Sequence, residues 1–284
     1  MKVLLTGAGG GLGRAVLARL AEEGHAVRAH DRAPLPPESA ARAEEVVVGD
    51  LLRSDQLAAV FAGVDALVHT AAYPSPLGPP ESEIFTNNVE AAYHVMDGAG
   101  RAGIGRIVYV SSLSALGLAW AARDVSPEHV PITEWHPYVG DDVYGLSKYI
   151  GELIAATASR RWDATVVSLR FPFLGTGERL RHHLSLVHAD PGFDRAALWA
   201  WLDTRDAARA IAAALTRRLE GHAVVNVAAP DTTALIPTAE LLRRYHPGTR
   251  LTEPLDGFAT PVSTRLSTEL LGFAPIHSWR TNEP

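Results

Sequence analysis

The sequence predicts an α/β protein in which helices cover both faces of a parallel sheet. Short apolar runs alternate with segments whose apolar residues recur at helical spacing, a glycine-rich stretch follows the first apolar run, and an aspartate ends the second. Strands of a parallel sheet are apolar along their whole length because helices bury both faces. The 284 residues suffice for one large domain or for a domain with a small lobe.

The alternation is clearest in the first half of the chain. Runs rich in Val, Leu and Ile predict strands over Lys2–Thr6, Ala26–His30, Glu45–Val48, Ala66–Thr70, Arg106–Ser111 and Ala164–Arg170. Helical spacing predicts helices over Leu12–Glu23, Asp55–Phe61, Glu83–Ala102 and Asp142–Ser159. We therefore predict a nucleotide-binding core over residues 1–170.

The pattern is looser after Phe171. It predicts helices over Arg179–Ala189, Thr204–Leu219, Thr238–Tyr245 and Ser267–Leu271, and a strand over Ala223–Val227. Trp199 and Trp201 alternate along a further possible strand, and we interpret them as core residues. Residues 171–284 are therefore predicted to form a smaller substrate-binding lobe that covers a cleft, with some elements returning to the core.

Composition excludes several classes of protein. The chain has no cysteine, so disulfides, thiol catalysis and thiolate metal sites are ruled out. A net charge of −6 without a basic run argues against nucleic-acid binding. No uncharged apolar stretch is long enough to span a membrane, and the N-terminus lacks the pattern of a signal peptide, so we expect a cytoplasmic protein. His182, His183 and His188 have no set of carboxylates around them, so no metal site is expected.

A glycine pattern follows the first predicted strand. The stretch TGAGGGLG places Gly7, Gly10 and Gly13 in the pattern GxxGxxG, and Gly11 and Leu12 lie between the last two glycines. Such glycines permit a tight turn, a close approach of the backbone to a pyrophosphate, and close packing of helix on strand. The start of the following helix offers free N–H groups and a positive dipole end to phosphates. The pattern therefore predicts a Rossmann-type sheet that binds a dinucleotide.

An acidic residue follows at a suitable distance. Asp31 ends the second predicted strand, 18 residues after Gly13. A carboxylate there can accept hydrogen bonds from the hydroxyls of the adenosine ribose, which favours NAD over NADP. Arg32 could instead meet a 2′-phosphate, so NADP remains an alternative. Asp50 and Leu51 follow the third predicted strand, where they are suited to holding the adenine.

A tyrosine and a lysine lie four residues apart in the stretch YGLSK, which runs from Tyr144 to Lys148. Only two of the 26 basic residues are lysines, which singles out Lys148. Residues at this spacing share one face of a helix. A phenol has a pKa of about 10, and a nearby ammonium lowers it. A lysine can also donate to a ribose hydroxyl, a task for which the planar arginine group is a poor substitute.

Together these motifs resemble the extended branch of the short-chain dehydrogenase/reductase family, the NAD-dependent epimerase/dehydratase type. The resemblance rests on the stretches HTAA, NNVEAAYHVMDGA, YVSSLSALG, WLDTRDAARAI and VVNVAA, and it covers residues 1–170 best. It implies that Tyr144 is the general acid/base, that Lys148 lowers its pKa and binds the nicotinamide ribose, and that Ser112 hydrogen-bonds the reacting oxygen. The further cofactor contacts that the resemblance implies are Ala71, Ala72, Tyr73, Asn88 and Phe171.

Departures from the family pattern narrow the chemistry. Family dehydratases carry an Asp-Glu pair where this chain has Leu113 and Ser114, and members that epimerise at C3 and C5 rely on an extra Cys or Lys. Nucleotide-sugar 4-epimerases typically carry Asn at the position of Phe173, so that reaction is the alternative rather than the first choice. A non-catalytic dinucleotide-binding sensor is a competing class, but such relatives commonly lose the Tyr or the Lys.

The predicted function is therefore NAD-dependent hydride transfer between nicotinamide and a secondary alcohol or ketone of a small sugar or sugar acid. Ser75, Ser114, Phe173 and Arg179 are expected near the substrate. We also expect a homodimer, because the helices predicted over Glu83–Ala102 and Asp142–Ser159 carry small residues on faces that we interpret as exposed. These small residues, which would let two such helices from each subunit form a four-helix bundle, are Ala91, Ala92, Ala99, Gly151, Ala155 and Ala156.

Overall fold

The computed structural model of the chain describes residues 1–53 and 57–281. Its strands are β1 (Lys2–Thr6), β2 (Ala26–Asp31), β3 (Glu45–Val48), β4 (Ala66–His69), β5 (Arg106–Ser112), β6 (His129–Val130), β7 (Thr165–Phe171), β8 (Phe173–Gly175), β9 (Trp201–Asp203), β10 (His222–Asn226) and β11 (Arg250–Leu251). Seven of these strands form one parallel sheet in the order β3-β2-β1-β4-β5-β7-β10. Two short parallel pairs, β8 with β9 and β6 with β11, lie outside it.

Helices connect the strands and cover both faces of the sheet. They are α1 (Gly11–Glu22), α2 (Pro37–Ala40), α3 (Ala58–Phe61), α4 (Glu81–Arg101), α5 (Val143–Trp162), α6 (Gly177–Ala189), α7 (Thr204–Thr216), α8 (Thr238–Tyr245) and α9 (Arg265–Leu271). Within the described residues, 3₁₀ helices cover Leu113–Leu116 and Pro191–Ala197. No helix in the described ranges is long and apolar enough to cross a membrane.

This arrangement confirms the predicted fold class, a doubly wound parallel sheet of the Rossmann type. The predicted strands and helices occur with their ends displaced by a few residues. The helix predicted over Asp55–Phe61 is described as Ala58–Phe61, and residues 55 and 56 lie outside the described ranges.

Two apolar clusters fill the spaces between the sheet and its helices. On one face, Val3 and Leu5 pack with α1, α7 and α9. On the other face, Leu4 packs with α3, α4 and α5. Successive residues of a strand point to opposite faces. An uninterrupted apolar β1 therefore supplies both clusters, and the sheet is buried on both sides.

The order of the strands creates a crevice at one edge of the sheet. From β1 the chain proceeds outward to β2 and β3, and it then returns to place β4 on the other side of β1. The connections that follow β1 and β4 therefore diverge, and ligands of such sheets bind in the crevice outside the carboxyl ends of these strands.

The C-terminal part contributes both to the sheet and to a separate apolar cluster. Strand β10 pairs with β7, and α7 packs in the same cluster as α1. A third cluster joins the loops after β5 to α8 and includes Trp199. Both Trp199 and Trp201 are fully buried, which confirms their interpretation as core residues. The domain boundary at residue 170 stays a prediction.

The small residues on α4 and α5 are not exposed as predicted. Ala92, Ala99 and Ala155 have no exposed surface and belong to the core between the sheet and these two helices. Ala91 and Gly151 are also buried, and Ala156 is half-buried. The prediction was wrong because the two helices pack side by side on the sheet within one subunit, and small residues permit that approach as well as an approach between subunits.

Candidate active site

The glycine loop lies where the paths of the chain diverge, between β1 and β4. Gly7 has a φ of +74°, and a Cβ there would come within 2.6 Å of the Ala71 nitrogen. A Cβ at Gly13 would overlap the Gly7 carbonyl oxygen. Only glycine permits the left-handed turn and this contact between helix α1 and strand β1. At Gly11 a Cβ would meet nothing within 4 Å, so the start of α1 is open to a ligand.

Asp31 closes the glycine loop from the end of β2. Its Oδ2 accepts the Gly9 N–H at 2.9 Å, and its Oδ1 accepts the Ala33 N–H at 3.2 Å. Each carboxylate oxygen can accept about two hydrogen bonds, so acceptor sites remain for ribose hydroxyls. The carboxylate thus organises the loop and remains able to bind a ligand.

A cavity of about 470 Å³ lies beside this loop. Nine of the predicted cofactor residues line it, namely Gly7, Gly10, Asp31, Arg32, Asp50, Leu51, Ala71, Ala72 and Tyr73. The cavity is also lined by Gly9, His30, Thr70 and Asn87, which the sequence motifs did not indicate. The signal for Gly9 was present in the glycine stretch, but its hydrogen bond to Asp31 needs the folded chain.

Arg32 is held at the mouth of this cavity by its neighbours. Its Nη1 donates to the Tyr73 hydroxyl at 3.2 Å, and the guanidinium lies 5.2 Å from the centroid of that ring. The Tyr73 hydroxyl in turn donates to Glu83 Oε1 at 2.6 Å. Arg32 is therefore engaged by the hydroxyl and the ring of Tyr73, and Glu83 orients that hydroxyl.

The other predicted cofactor residues do not line the cavity. Gly11, Leu12 and Gly13 form the first turn of α1 beside it. Asn88 fixes the backbone of Tyr73, because its amide accepts the Tyr73 N–H at 2.8 Å and donates to the Tyr73 carbonyl at 3.2 Å. Phe171 is buried at the end of β7, opposite Ser112 of β5.

Tyr144 and Lys148 lie on the first turns of α5, and both are buried, at 6% and 4% exposure. The helix begins at Val143 because the Asp142 carboxylate accepts the Gly145 N–H at 2.6 Å. The Lys148 ammonium donates to the Val110 carbonyl at 3.0 Å and lies 5.9 Å from the centroid of the Tyr144 ring. The two side chains therefore face the end of β5, as their spacing predicted.

Burial controls the protonation of this pair. It raises the pKa of Tyr144 to about 12, and a hydrogen bond with Ser112 opposes the rise. Burial also lowers the pKa of Lys148 to about 8, and the Glu152 carboxylate opposes that shift. The pKa of Tyr144 is therefore raised, not lowered as the resemblance implied, because desolvation of the phenolate dominates.

Ser112 lies at the end of β5 and starts the 3₁₀ helix that follows. Its hydroxyl accepts the Ser114 N–H at 3.1 Å and donates to the Phe171 carbonyl at 3.4 Å. The backbone on both sides thus orients the Ser112 side chain, and its hydrogen bond to Tyr144 links the two predicted catalytic hydroxyls.

The predicted substrate residues lie in three different segments. Ser75 lies in the loop after β4, where its hydroxyl accepts the Leu77 N–H at 3.3 Å. Ser114 is buried in the 3₁₀ helix after β5. Phe173 of β8 stacks on His183 with ring centroids 3.9 Å apart, and Arg179 lies 5.0 Å from the centroid of the Phe173 ring. Their contact with a substrate stays a prediction.

The histidines of α6 are engaged in packing. His183 lies 3.3 Å from Asp194 in addition to its stack on Phe173, and the ring of His188 lies against Trp279. Among residues 1–53 and 57–281, no group of three or more His, Asp or Glu side chains is arranged to hold a metal ion.

The residues at the two ends of the crevice are suited to different parts of a dinucleotide. One end offers a glycine cradle, an open helix start and a carboxylate. The other end places the Lys148 ammonium and the Tyr144 hydroxyl next to the end of β5. This combination provides groups for a pyrophosphate, a ribose and a proton transfer.

Comparisons with known proteins agree with this geometry. A family model described as the NAD dependent epimerase/dehydratase family matches residues 3–228. The uronate dehydrogenase of Pseudomonas syringae pv. tomato is 30% identical over 224 residues, which are 79% of this chain and 73% of that protein. The L-arabinose 1-dehydrogenase (NAD(P)(+)) of Haloferax volcanii is 26% identical over 267 residues, which are 92% and 99% of the two chains.

A solved structure extends the similarity to the whole fold. A short-chain dehydrogenase/reductase superfamily protein from Agrobacterium tumefaciens, crystallised with bound NAD, is 25% identical with a TM-score of 0.74. The alignment covers 99% of this chain and 94% of that one.

Proposed function

Because the chain belongs to the NAD-dependent epimerase/dehydratase family, we propose that it is an NAD-dependent dehydrogenase of a small sugar or sugar acid. One observation carries the proposal. A buried Tyr144 hydroxyl, linked to Ser112 and followed one helical turn later by Lys148, lies at the same sheet edge as the glycine loop. A non-catalytic sensor would have no use for a buried acid/base group at this place.

Side chains of α5 and β5 carry out and support the proton transfer. In alcohol oxidation the phenolate form of Tyr144 accepts the proton of the substrate hydroxyl, and in ketone reduction the phenol returns that proton. The Ser112 hydroxyl hydrogen-bonds the reacting oxygen and holds it against Tyr144. Lys148 holds the nicotinamide ribose, and its charge favours the phenolate once the proton has left. Bound NAD supplies the carbon that accepts or gives the hydride.

A small substrate is supported by the relatives and by the lobe. The relatives named above act on a uronate and on L-arabinose. Phe173 presents a half-buried aromatic ring beside the end of β7. An aromatic face suits the apolar face of a sugar ring better than it suits a diphosphate. We place the substrate between this ring and Tyr144, with Ser75, Ser114 and Arg179 as the polar groups around it.

We propose a preference for NAD over NADP. Asp31 places a negative charge where a 2′-phosphate would lie, and it opposes that group electrostatically. Arg32, the cation that could attract the phosphate, is held by Tyr73, whose hydroxyl is in turn bound to Glu83. The expected cytoplasmic location stays a prediction.

A homodimer is proposed on a different surface of α4 and α5 from the one that the sequence indicated. Tyr93 of α4 and Leu153 of α5 are 50% and 51% exposed. Large apolar side chains on two neighbouring helices suit a contact between subunits. Leu153→Glu should therefore convert the protein to a monomer in light scattering, whereas Thr157→Glu, one turn along the same helix, should have a smaller effect. A wild-type monomer at micromolar concentration would contradict the proposal.

The function is tested with purified protein and a panel of uronates, aldoses and nucleotide sugars. NADH formation and the stereochemistry of the product are followed together. We expect stoichiometric NADH with at least one uronate or aldose. An inverted product without release of NADH would show a 4-epimerase instead. Binding of NAD without turnover of any substrate would support the sensor.

A further inference from the structure

A buried ion pair lies directly behind the proposed catalytic groups. Arg170 of β7 and Glu152 of α5 are each 4% exposed. The Arg170 guanidinium donates two hydrogen bonds to the Glu152 carboxylate, from Nε to Oε1 at 2.8 Å and from Nη2 to Oε2 at 2.7 Å. The Ser111 hydroxyl also donates to Oε1 at 2.6 Å. A fully buried pair of this kind adds little net stability, because desolvation offsets the attraction. Its presence therefore calls for a role other than stability.

Its position suggests that role. Glu152 lies one helical turn after Lys148 on α5. Ser111 immediately precedes Ser112, and Arg170 immediately precedes Phe171, whose carbonyl accepts the Ser112 hydroxyl. Ser111 and Arg170 are direct neighbours across β5 and β7. One carboxylate thus fastens together the three elements that carry Lys148, Ser112 and the Ser112 acceptor.

The charge of Glu152 also reaches Lys148. The groups that face the Lys148 ammonium are the carbonyl of Val110, the rings of Tyr109 and Tyr144 with centroids 5.6 and 5.9 Å away, and His69 of β4. Burial and the neighbouring ammonium hold His69 neutral, and burial raises the pKa of Tyr109 well above its usual value. Glu152 is the anion that opposes the effect of burial on the pKa of Lys148. On β4, β5, β7 and α5, the described residues provide no second anion with this effect.

We propose that Glu152 is a positioning residue for the proposed reaction: its carboxylate keeps the Lys148 ammonium charged and holds α5 in place against the ends of β5 and β7. Arg170 and Ser111 orient the carboxylate, and neither Glu152 nor Arg170 touches the substrate. The inference rests on the proposed function for its effect on turnover. Its effect on Lys148 can be measured without any substrate.

The composition of the chain makes that measurement direct. Lys2 and Lys148 are the two lysines of the sequence, so protein labelled with ¹⁵N and ¹³C in lysine gives two side-chain ammonium signals. Lys2 is half-buried near the N-terminus and pairs with Glu44, so it serves as an internal reference. Titration of the second signal follows Lys148 in the folded chain.

The test compares Glu152→Gln with the wild type. Glutamine keeps an acceptor for the Ser111 hydroxyl and removes the charge. We expect the Lys148 titration to move to lower pH by about one unit or more, since an adjacent buried charge shifts a pKa by that order. The alkaline fall of kcat for an accepted substrate should move in the same direction, whereas KM should change little.

Two further variants keep the outcome interpretable. Glu152→Gln leaves the buried Arg170 without its counter-ion, so Glu152→Gln with Arg170→Met removes both charges and guards against simple misfolding. Glu152→Asp retains the charge and should keep the Lys148 titration near that of the wild type while lowering kcat.

As a matched control, Asp206 is an equally buried carboxylate that binds Arg209 away from the site. Asp206→Asn should lower the melting temperature and leave the Lys148 titration unchanged.

The outcomes separate the two proposals. A Lys148 titration that is the same in folded Glu152→Gln and in the wild type would overturn the role of Glu152, whatever the substrate. A shifted titration in a protein that oxidises nothing would leave the effect of Glu152 on Lys148 intact and would overturn the dehydrogenase. A shifted titration with an unmoved pH profile of kcat would show that Glu152 affects Lys148 without positioning it for the reaction.

Discussion

The adenosine end and the reactive end of the crevice are formed by different kinds of chemical groups. At the adenosine end, Asp31 is half-buried, its partners are backbone N–H groups, and the loop that it organises is adjacent to solvent. At the reactive end, Tyr144, Lys148 and Glu152 are buried titratable side chains held by groups from β5 and β7. A site made from backbone and glycine depends on local sequence, whereas a site made from buried charges depends on everything that excludes water from it. Substitutions at the reactive end should therefore lower activity far more than substitutions at the adenosine end.

The largest expected effect is at Tyr144. Tyr144→Phe keeps the ring and removes the oxygen that transfers the proton, so kcat should fall by about 10²–10⁴-fold. The dissociation constant of NAD, measured by fluorescence titration, should change little. A variant that keeps more than about a tenth of the wild-type rate would show that Tyr144 is not the acid/base.

The second largest loss of activity is expected at Lys148. It tests whether the shape of the buried cation matters as well as its charge. Lys148→Arg keeps the charge, but the guanidinium is larger and planar. It should lose the bond to the Val110 carbonyl and displace the Tyr144 oxygen. A displacement of this kind lowers kcat/KM by about a hundredfold, and steady-state kinetics with NAD binding would measure it. Near-normal rates would mean that only the charge of Lys148 matters.

A smaller effect is expected at the adenosine end. Asp31→Asn keeps an acceptor for the Gly9 N–H and removes the charge that opposes a 2′-phosphate. The ratio of kcat/KM for NAD to that for NADP should fall by about tenfold, since a hydrogen bond to a charged group contributes roughly 1.5–3 kcal/mol. The pH profile should stay in place. A changed pH profile would contradict the contrast between the two ends, because it would show that they are coupled.

The smallest expected effect is at Tyr73. Tyr73→Phe removes the hydroxyl that links Arg32 to Glu83, and it frees the guanidinium for a 2′-phosphate. Exposed polar contacts are worth about 1 kcal/mol or less, so NADP should improve relative to NAD by only about threefold. Adding Arg32→Ala should cancel the gain. If the double variant keeps it, Arg32 is not the group that Tyr73 restrains.

Much of the adenosine end could be predicted from the sequence. The turn at Gly7, the contact at Gly13 and the carboxylate at Asp31 follow from residues whose spacing is imposed by one strand, one turn and one helix. The helical spacing of Tyr144 and Lys148 is local in the same way, and the structure places both on one face of α5. Alternation of apolar runs was enough to predict the fold class because the central strands β1, β4, β5 and β7 are buried on both faces.

Other features depended on contacts between distant segments. Asn88 also binds the backbone of Tyr73, which no sequence pattern indicated, and its contact with the cofactor stays a prediction. The small residues of α4 and α5 were interpreted as exposed, but they pack inside the subunit, because a small residue indicates close approach without indicating which surface approaches. The hydrogen bond from Gly9 to Asp31 and the stack of Phe173 on His183 left no pattern in the chain.

The sequence by itself determined the parallel sheet, the dinucleotide loop and the identity of the tyrosine and lysine, because these depend on periodicity and on the special geometry of glycine. The tertiary structure alone decided the protonation of the reactive groups. Burial raises the pKa of Tyr144 and lowers that of Lys148, and Glu152, which is paired with Arg170, is the anion that opposes the second shift. Spacing along the chain cannot supply this information, because the pKa of a buried group depends on how much water the whole fold excludes and on charges that other strands bring near.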